Sequence, residues 1–508
     1  MMSNLAILSP LLIHLLFSIL LMFSWQNLKW QKILTLFGNG IALAASIWVF
    51  ILVHEQGTQT VQSGNWQAPF GISFVGDMLA ATLVLLTCIS GFAVSIFAIV
   101  SVIKARLRFG FFSVFHFLMM GLIGAFLTGD IFNLYVWFEI IIISSFVLIS
   151  LGGEKNQLEG AVKYFTLNFL ASMIFLTALG VLYGLTGTLN MADLSQKVAL
   201  LENRALVEIC AVLFLVGFGI KSAVFPLYFW LPASYHTPPS AVSAIFAGLL
   251  TKVGVYALIR VFSLIFVDDL FLQTMLLSIA VLSIFSGGIG ALIQNNLKKV
   301  FSYLIICHIG FMIGGLGLFT KVALAGTIFY LIHDIIVKTN LFLISGLIYR
   351  LRSTSSLKKL GGLYDEYPKI SLLLAIPLFS LVGIPPLSGF WPKISLLLAG
   401  FEQENYWFIG AVIFGSLVTL VVIAKVWAEA FWKKPKKVKK WKKFVDFSEL
   451  RKIQKLQLIF PIAFLSLVSL YIGFGAEHIQ QLSERIAGEL MDNQQYINAV
   501  FKTSSNAR

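Results

Sequence analysis

Two lysines lie in apolar stretches where a charged side chain is costly. Lys221 and Lys252 both belong to the segment IKSAVFPLYFWLPASYHTPPSAVSAIFAGLLTKVGVYALIR at 220–260, and Pro226 lies near the first of them. A lysine at the bilayer centre costs about 2.5–3.5 kcal/mol on insertion scales, so it faces a protein interior or a water-filled path. Such a lysine can hold and release a proton, since burial disfavours its charge and a carboxylate favours it. Snorkelling or a structural ion pair explains one lysine equally well, but two favour a functional role.

A carboxylate occupies a third apolar stretch. Glu139 lies inside GDIFNLYVWFEIIIISSFVLIS, and a buried carboxylate needs a partner. We expect that partner to be Lys221 from a neighbouring helix, with a purely structural pair as the alternative. Lys163, in the next apolar stretch, either snorkels to the surface or lies between Glu139 and Lys221 and modulates their pairing.

The second half of the chain carries its own titratable residues. Asp334 and Lys338 are four residues apart in TIFYLIHDIIVKTNLFLISG, so they share one helix face and can pair. His333 adds a group that can exchange protons near neutral pH. Lys393 follows prolines that break one predicted span, and Lys221 precedes prolines that break another. We therefore predict a proton relay along the membrane midplane through Lys221, Lys252, His333, Lys338 and Lys393, with the Glu139–Lys221 pair as its switch.

Four further residues are accessory candidates. His236, between Pro232 and Pro238, is placed to admit protons at the cytoplasmic edge, or else it is a capped loop histidine. His308 lies in KKVFSYLIICHIGFM, and Lys425 has Glu429 one helical turn further on. No set of metal-binding residues stands out, so the sequence locates no metal site.

The elements that must position these residues are membrane-spanning helices. The 508 residues are 58% hydrophobic and only 12% charged, against about 25% charged in soluble domains, which indicates an all-α polytopic membrane protein. Each apolar run of about 20 residues can cross the hydrocarbon. We count about fourteen predicted helices: 4–24, 32–53, 77–103, 111–128, 131–151, 162–185, 207–228, 240–266, 272–293, 301–319, 322–348, 370–400, 406–432 and 457–475.

A weak internal repeat relates the two halves. A shift of about 170 residues superimposes the proline-broken predicted helices 7 and 12 and matches several polar positions. The matched pairs are Glu139 with His308, Lys221 with Lys393, and Lys252 with Lys425. Since five helices is an odd number, helices 4–8 and 9–13 would form inverted repeats, an architecture of ion-coupled transporters. The resulting segments are 1–108 (peripheral helices), 109–266 and 267–432 (the repeats), 433–456 (a lysine-rich cytoplasmic loop) and 457–508 (the last helix and an amphipathic tail).

The positive charge of the chain lies on one side of the predicted bundle. The formal net charge is +14, and its lysines and arginines cluster in alternate loops. These are Lys29, Lys32, Lys104, Arg106, Arg108, Lys298, Lys299, Arg350, Arg352, Lys358, Lys359 and the run at 433–444. The positive-inside rule makes this side cytoplasmic and places both termini outside. We expect the charge to serve topology and lipid contact, not nucleic-acid binding.

Several function classes find no support. Cys88, Cys210 and Cys307 are scattered, without the spacing of an iron–sulfur or haem site. The chain has no GxxxxGK phosphate loop and no dinucleotide fingerprint. We therefore expect no cofactor and no enzymatic activity, and energy that arrives as an ion gradient or through partner subunits.

The motifs resemble those of a known superfamily. LPASYHTPPSAVSAIFAGLLTKVGVYALIR and KVFSYLIICHIGF resemble the antiporter-like membrane subunits of respiratory complex I and of the multi-subunit Mrp-type sodium/proton antiporters. HDIIVKTNLFL resembles the MrpD-type branch in particular, and Lys393 fits as well. The resemblance implies a proton-translocating subunit of a hetero-oligomeric complex in a bacterial cytoplasmic membrane, with other subunits, protons and sodium ions as its partners. The alternatives are a pumping subunit of a redox-driven complex and a scaffold whose charges only hold helices together.

Overall fold

The protein is described by a computed structural model that covers residues 6–267, 269–434 and 447–505. Short 3₁₀ turns lie at Ala6–Leu8, Ser63–Asn65 and Phe447–Glu449. The first half comprises α1 (Ser9–Phe23), α2 (Leu28–Gln56), β1 (Gln59–Gln62), β2 (Ser73–Gly76), α3 (Met78–Ser101), α4 (Lys104–Arg108), α5 (Phe111–Leu127), α6 (Ile131–Ser150), α7 (Lys155–Thr186), α8 (Met191–Leu200), α9 (Arg204–Ser222), α10 (Trp230–Ser234) and α11 (Ser240–Leu264). The second half comprises α12 (Leu270–Ile293), α13 (Leu297–Leu318), α14 (Lys321–Arg352), α15 (Leu363–Glu366), α16 (Pro368–Val382), α17 (Phe390–Glu402), α18 (Tyr406–Trp432), α19 (Lys452–Phe474), α20 (Ala476–Met491) and α21 (Gln494–Ser505).

The helices confirm an all-helical, multi-pass membrane architecture. Within the described residues, 12 helices are long and apolar enough to cross a membrane, and α5 and α16 are shorter apolar helices. Each of the predicted apolar runs coincides with one of these helices or with a broken pair. The count of fourteen spans, the inverted repeats and the division into segments stay predictions. The predicted amphipathic tail begins as α20. Residues 435–446 of the predicted lysine-rich loop lie outside the described residues.

Both predicted breaks are present. Helix α9 ends at Ser222, and the chain turns through Pro226 before α10 begins. In the second half, α16 ends at Val382 and α17 begins at Phe390, with two prolines in the seven-residue segment between them. Proline lacks the backbone donor that a continuing helix requires. Non-helical backbone at membrane depth is tolerated where protein surrounds it or a cavity borders it.

Three helices form the centre of the bundle. The apolar window of α11 is 100% buried and those of α13 and α14 are each 94% buried, whereas the corresponding value for α12 is 39%. Lipid-facing helices bury one side only, so α11, α13 and α14 are enclosed by protein on every side. Polar residues on these three helices therefore lie far from bulk water and need partners within the protein.

One end of the bundle has a feature that the sequence did not predict. Strands β1 and β2 form an antiparallel hairpin in the connection between α2 and α3. The carboxyl-terminal α21 packs against it, where the Thr60 hydroxyl donates to the Ala499 carbonyl over 3.1 Å. Strands of only four residues are too short to show hydrophobic periodicity, which explains why the sequence pattern missed them.

Candidate functional site

The central helices approach each other closely at glycines. A Cβ on Gly248 of α11 would collide with the Thr339 hydroxyl of α14, and one on Gly254 would lie 2.5 Å from the Ser222 hydroxyl of α9. Any side chain at these positions would push the helices apart. Because Lys252 lies between the two glycines, it is held close to α14 on one side and to α9 on the other.

Asp334 is the hub of a buried ion cluster. Its Oδ2 lies 2.7 Å from Lys252 Nζ, and its Oδ1 lies 3.9 Å from Lys338 Nζ and 3.4 Å from His308 Nδ1. All four side chains are 0% exposed. The predicted pairing of Asp334 with Lys338 is therefore the looser of two lysine contacts, and the sequence did not reveal the tighter contact with Lys252.

The members of the cluster differ in their hydrogen bonds to other groups. Lys252 Nζ also donates to the Ala247 carbonyl over 2.8 Å, at a π-helical turn that covers Phe246–Leu250. His308 Nε2 lies 3.2 Å from the Thr419 hydroxyl. Lys338 Nζ is buried without a hydrogen-bond partner among the described residues. One carboxylate can balance only one of two ammonium groups, and Lys338 is the lysine that the cluster holds less closely.

Lys221 and Glu139 do not form the expected direct ion pair. Lys221 Nζ donates to the Ser172 hydroxyl over 3.0 Å and lies 4.6 Å from the centre of the Phe138 ring. Glu139 is part-exposed, its Oε1 has no hydrogen-bond partner, and within the described chain no nitrogen–oxygen contact of 4.0 Å or less joins it to Lys221. A serine and an aromatic face thus take the place of the carboxylate beside the lysine, and neither was expected from the sequence.

A small cavity adjoins the Lys221 side chain. Its volume is about 10 Å³, and its polar lining consists of Lys221, Asn168, Tyr164 and Trp230. About 10–15 Å³ is the least space that holds one water molecule. The cavity next to Lys221 is therefore at the lower limit of that size.

The break between α16 and α17 holds the other two relay candidates. Lys393 Nζ donates to the carbonyls of Val382 over 2.6 Å and Leu381 over 3.4 Å, so it caps the carboxyl end of α16. A cation is favoured there by the helix dipole. His333 Nδ1 lies 2.8 Å from the Ser388 hydroxyl in the same break, and its Nε2 is buried without a hydrogen-bond partner among the described residues.

Three accessory candidates lie away from the cluster. Lys163 is 52% exposed and pairs with Glu159 at 2.5 Å, so it does not lie between Glu139 and Lys221. Lys425 does not pair with Glu429. Its Nζ donates to the carbonyls that end α12, Leu292 over 2.9 Å and Gln294 over 3.2 Å, and Glu429 pairs with Lys433 over 2.5 Å.

His236 lines a polar cavity of about 240 Å³ at the basic end of the bundle. Its Nδ1 lies 2.8 Å from the Pro232 carbonyl, which fits the capped loop histidine of the sequence analysis. Burial lowers the pKa of His236 to about 4, and the charges of Lys299 and Lys298 add to this effect. The side chain is therefore neutral at pH 7, and Arg106 and Lys298 share the wall of the cavity.

Sequence reasoning also missed a second buried ion pair. Arg260 Nη2 lies 2.6 Å from Asp77 Oδ2, and the guanidinium stacks 5.1 Å from the ring centre of Tyr496. Arg260 lies eight residues after Lys252, hence on a similar side of α11. A charged residue inside an apolar run was the signal that could have found it. The hydroxyls of Ser172, Thr419 and Ser388 carried no signal, because serine and threonine are common in membrane helices.

The sequence is similar to those of known membrane proteins. The family model "NADH:quinone oxidoreductase/Mrp antiporter, TM" matches residues 128–419, which is more than half of the chain. A D-type Na(+)/H(+) antiporter subunit from Alkalihalophilus pseudofirmus is 42% identical over 99% of this chain and 100% of its own length. The chain belongs to the NADH:quinone oxidoreductase/Mrp antiporter membrane family.

Other members of this family agree along the whole chain. A D-type Na(+)/H(+) antiporter subunit from Bacillus subtilis is 40% identical over 99% of this chain and 100% of its own. A chain in the structure of the Mrp complex from Dietzia sp. DQ12-45-1b superimposes with a TM-score of 0.90 at 26% identity, covering 99% of this chain and 100% of that one. The resemblance to the MrpD-type branch is confirmed, and so is the helical fold.

Proposed function

We propose that this protein is the proton-translocating subunit of a multi-subunit sodium/proton antiporter. The observation that carries the proposal is the buried cluster around Asp334, in a chain whose full-length relatives are named as antiporter subunits of the D type. A charged cluster in the bundle centre is expensive, and in membrane proteins such groups mark ion pathways. As a transporter component it has partner subunits and is no enzyme.

The proton path is proposed to run from Lys221 to Lys393. Lys221 takes a proton next to the small cavity that it lines, and Glu139 biases its charge without contacting it. The close packing at Gly254 brings the Lys221 backbone against α11, from which Lys252 leads into the Asp334 cluster. His333 and Lys393, at the break between α16 and α17, form the far end of the path.

The orientation is proposed from the basic loops. Arg106, Lys298 and His236 line the 240 Å³ cavity, which we take as the cytoplasmic entrance for water. Under the positive-inside rule both termini then lie outside, in a bacterial cytoplasmic membrane. Sodium is proposed to cross elsewhere in the complex, because no group of three or more His, Cys, Asp or Glu residues in the described part of the chain is arranged to hold a metal ion.

A redox-driven pump is the competing function, because the family description names NADH:quinone oxidoreductase beside the Mrp antiporter. The test is sodium-driven proton movement in everted vesicles from a host without its own antiporters, with the chain expressed together with its partner subunits. Sodium-dependent dissipation of the pH gradient supports the antiporter. Proton pumping that follows an electron donor, without any sodium response, would instead support the redox-driven function.

A further inference from the structure

A chain of buried hydroxyls starts at His333. His333 Nδ1 lies 2.8 Å from Ser388 Oγ, Ser388 Oγ lies 3.0 Å from Ser469 Oγ, and Ser469 Oγ lies 3.1 Å from Ser380 Oγ. All three serines are 0% exposed. Each distance is within hydrogen-bond range, so the four side chains form one continuous connection.

The connection crosses three elements and ends near Lys393. Ser388 lies in the break after α16, Ser469 on α19, and Ser380 in the last turn of α16. The Lys393 ammonium is held by the carbonyls of the next two residues, Leu381 and Val382. The hydroxyl chain therefore spans from one relay candidate, His333, to the helix end that holds the other.

Ser469 is bonded unusually for a serine in a membrane helix. Such a serine commonly donates to the carbonyl four residues earlier, as Thr339 does to Ile335 in α14 over 2.7 Å. Ser469 instead pairs with two other hydroxyls, Ser380 and Ser388. Helix stability does not require that arrangement, because a backbone carbonyl of its own helix is the local acceptor for such a hydroxyl.

The packing around the chain leaves little room for water. A Cβ at Gly389 would collide with the Ser380 carbonyl and would lie 3.0 Å from the His333 ring. The break is therefore closely packed between His333 and the end of α16.

We propose that Ser388 and Ser469 conduct protons between His333 and the break that holds Lys393. A hydroxyl has one donor hydrogen and two acceptor lone pairs, so it accepts one proton and releases another. Protonated His333 gives its Nδ1 proton to Ser388, and Ser388 passes its own hydrogen to Ser469. Ser469 passes its own to Ser380, and the hydrogen that Ser380 releases goes to the neutral amine form of Lys393, which becomes the ammonium. Every serine keeps one hydrogen, and the hydroxyls rotate back before the next transfer. This link rests on the proposed function and extends it to α19.

The experiment compares single alanine variants in the complete antiporter complex. Ser388→Ala and Ser469→Ala are assayed for sodium-driven proton movement in everted vesicles, with complex assembly measured in parallel. Ser466→Ala is the matched control, because this buried serine on the same helix accepts from the Asn340 amide over 3.0 Å and lies outside the chain. We expect each chain variant to lose about tenfold or more in rate with normal assembly, and the control to stay within about twofold.

The double variant separates conduction from simple positioning. Residues that act as one unit are strongly non-additive, so Ser388→Ala/Ser469→Ala should be no slower than either single variant. Loss of rate in Ser388→Ala alone would overturn the proposal, since Ser388 would then only orient His333. Wild-type rates in both single variants, or loss of assembly in step with rate, would overturn it too. An inactive wild type would refute the proposed function and the link that rests on it.

Discussion

Two lysines on neighbouring helices have opposite surroundings. Lys221 contacts a neutral hydroxyl and an aromatic ring, and its nearby carboxylate, Glu139, is out of contact. Lys252 is paired with Asp334 at 2.7 Å inside a fully enclosed cluster. The first site adjoins a small cavity of about 10 Å³, whereas the second is packed and ionic.

The difference indicates that the two lysine sites have different roles. A carboxylate that is not in contact acts on its lysine through the Coulomb interaction only, so small movements change the lysine charge state at little structural cost. A contact pair in the interior resists separation, because either charge left alone is strongly penalised. We infer that the Glu139–Lys221 region switches and that the Asp334 cluster stores and passes charge.

The largest effect is expected from Asp334→Asn. The change leaves Lys252 and Lys338 without a counter-charge, and breaking a buried pair costs about 3–5 kcal/mol. We expect both transport and assembly to fall sharply, as measured by vesicle assay and by the yield of intact complex. Asp193→Asn is the control, because that carboxylate pairs with a 43% exposed lysine, Lys197. Normal assembly of Asp334→Asn would show that the cluster is not charged as described.

Glu139→Gln should separate the two regions. Because Glu139 Oε1 has no hydrogen-bond partner among the described residues, we expect normal assembly with transport reduced by about a hundredfold or more. Glu159→Gln, in the exposed pair with Lys163, serves as the control and should transport normally. Equal loss of assembly in Glu139→Gln and Asp334→Asn would remove the distinction drawn between the two regions.

Lys393 and Lys425 offer a sharper comparison, because both cap helix carbonyls. Removing either ammonium leaves carbonyls without a partner, at a cost of about 1–3 kcal/mol in thermal stability. We expect Lys393→Ala to abolish transport, since it lies at the end of the proposed path. Lys425→Ala should lose stability alone and retain at least about half of the rate. Loss of transport in Lys425→Ala without loss of stability would instead place Lys425 in the relay.

The smallest effect is expected from His236→Gln. The pKa of His236 is lowered to about 4, so the folded protein binds fewer protons here than the unfolded chain between about pH 4 and 6.5. The contribution of His236 to the free energy of unfolding therefore falls as the pH drops through that window. His236→Gln should remove this pH dependence. Above pH 7 the imidazole is neutral in both states. The transport profile from pH 7 to 9 should keep its shape, and a shifted profile would support proton uptake through His236.

The positions of the helices could be predicted from the sequence, and so could the burial of charged residues within them, because both follow from composition. Apolar runs of bilayer length and lysines inside them are visible without any knowledge of contacts. The sequence also placed Asp334 and Lys338 on one helix face, which the structure confirms at 3.9 Å.

Contacts between side chains of different helices could not be predicted from the sequence. Lys252 contacts Asp334 because Gly248 lets α11 approach α14, and helix packing of that kind depends on side-chain fit at distant positions. The predicted Glu139–Lys221 contact was wrong for the same reason, because Lys221 donates to Ser172 on α7 instead. The roles of Glu139, Lys221, His333 and Lys393 in transport stay predictions.

The most direct test of the central claim is the double variant Asp334→Asn/Lys252→Met. It removes both members of the tighter buried pair, so that one lysine, Lys338, is left without a counter-charge where Asp334→Asn leaves two. Replacing a buried pair by neutral groups is often neutral or stabilising. If the cluster carries protons, the double variant should recover the assembly that Asp334→Asn loses, yet sodium-driven proton movement in everted vesicles should stay at background. Recovery of transport together with assembly would contradict the account and leave the cluster a structural clamp.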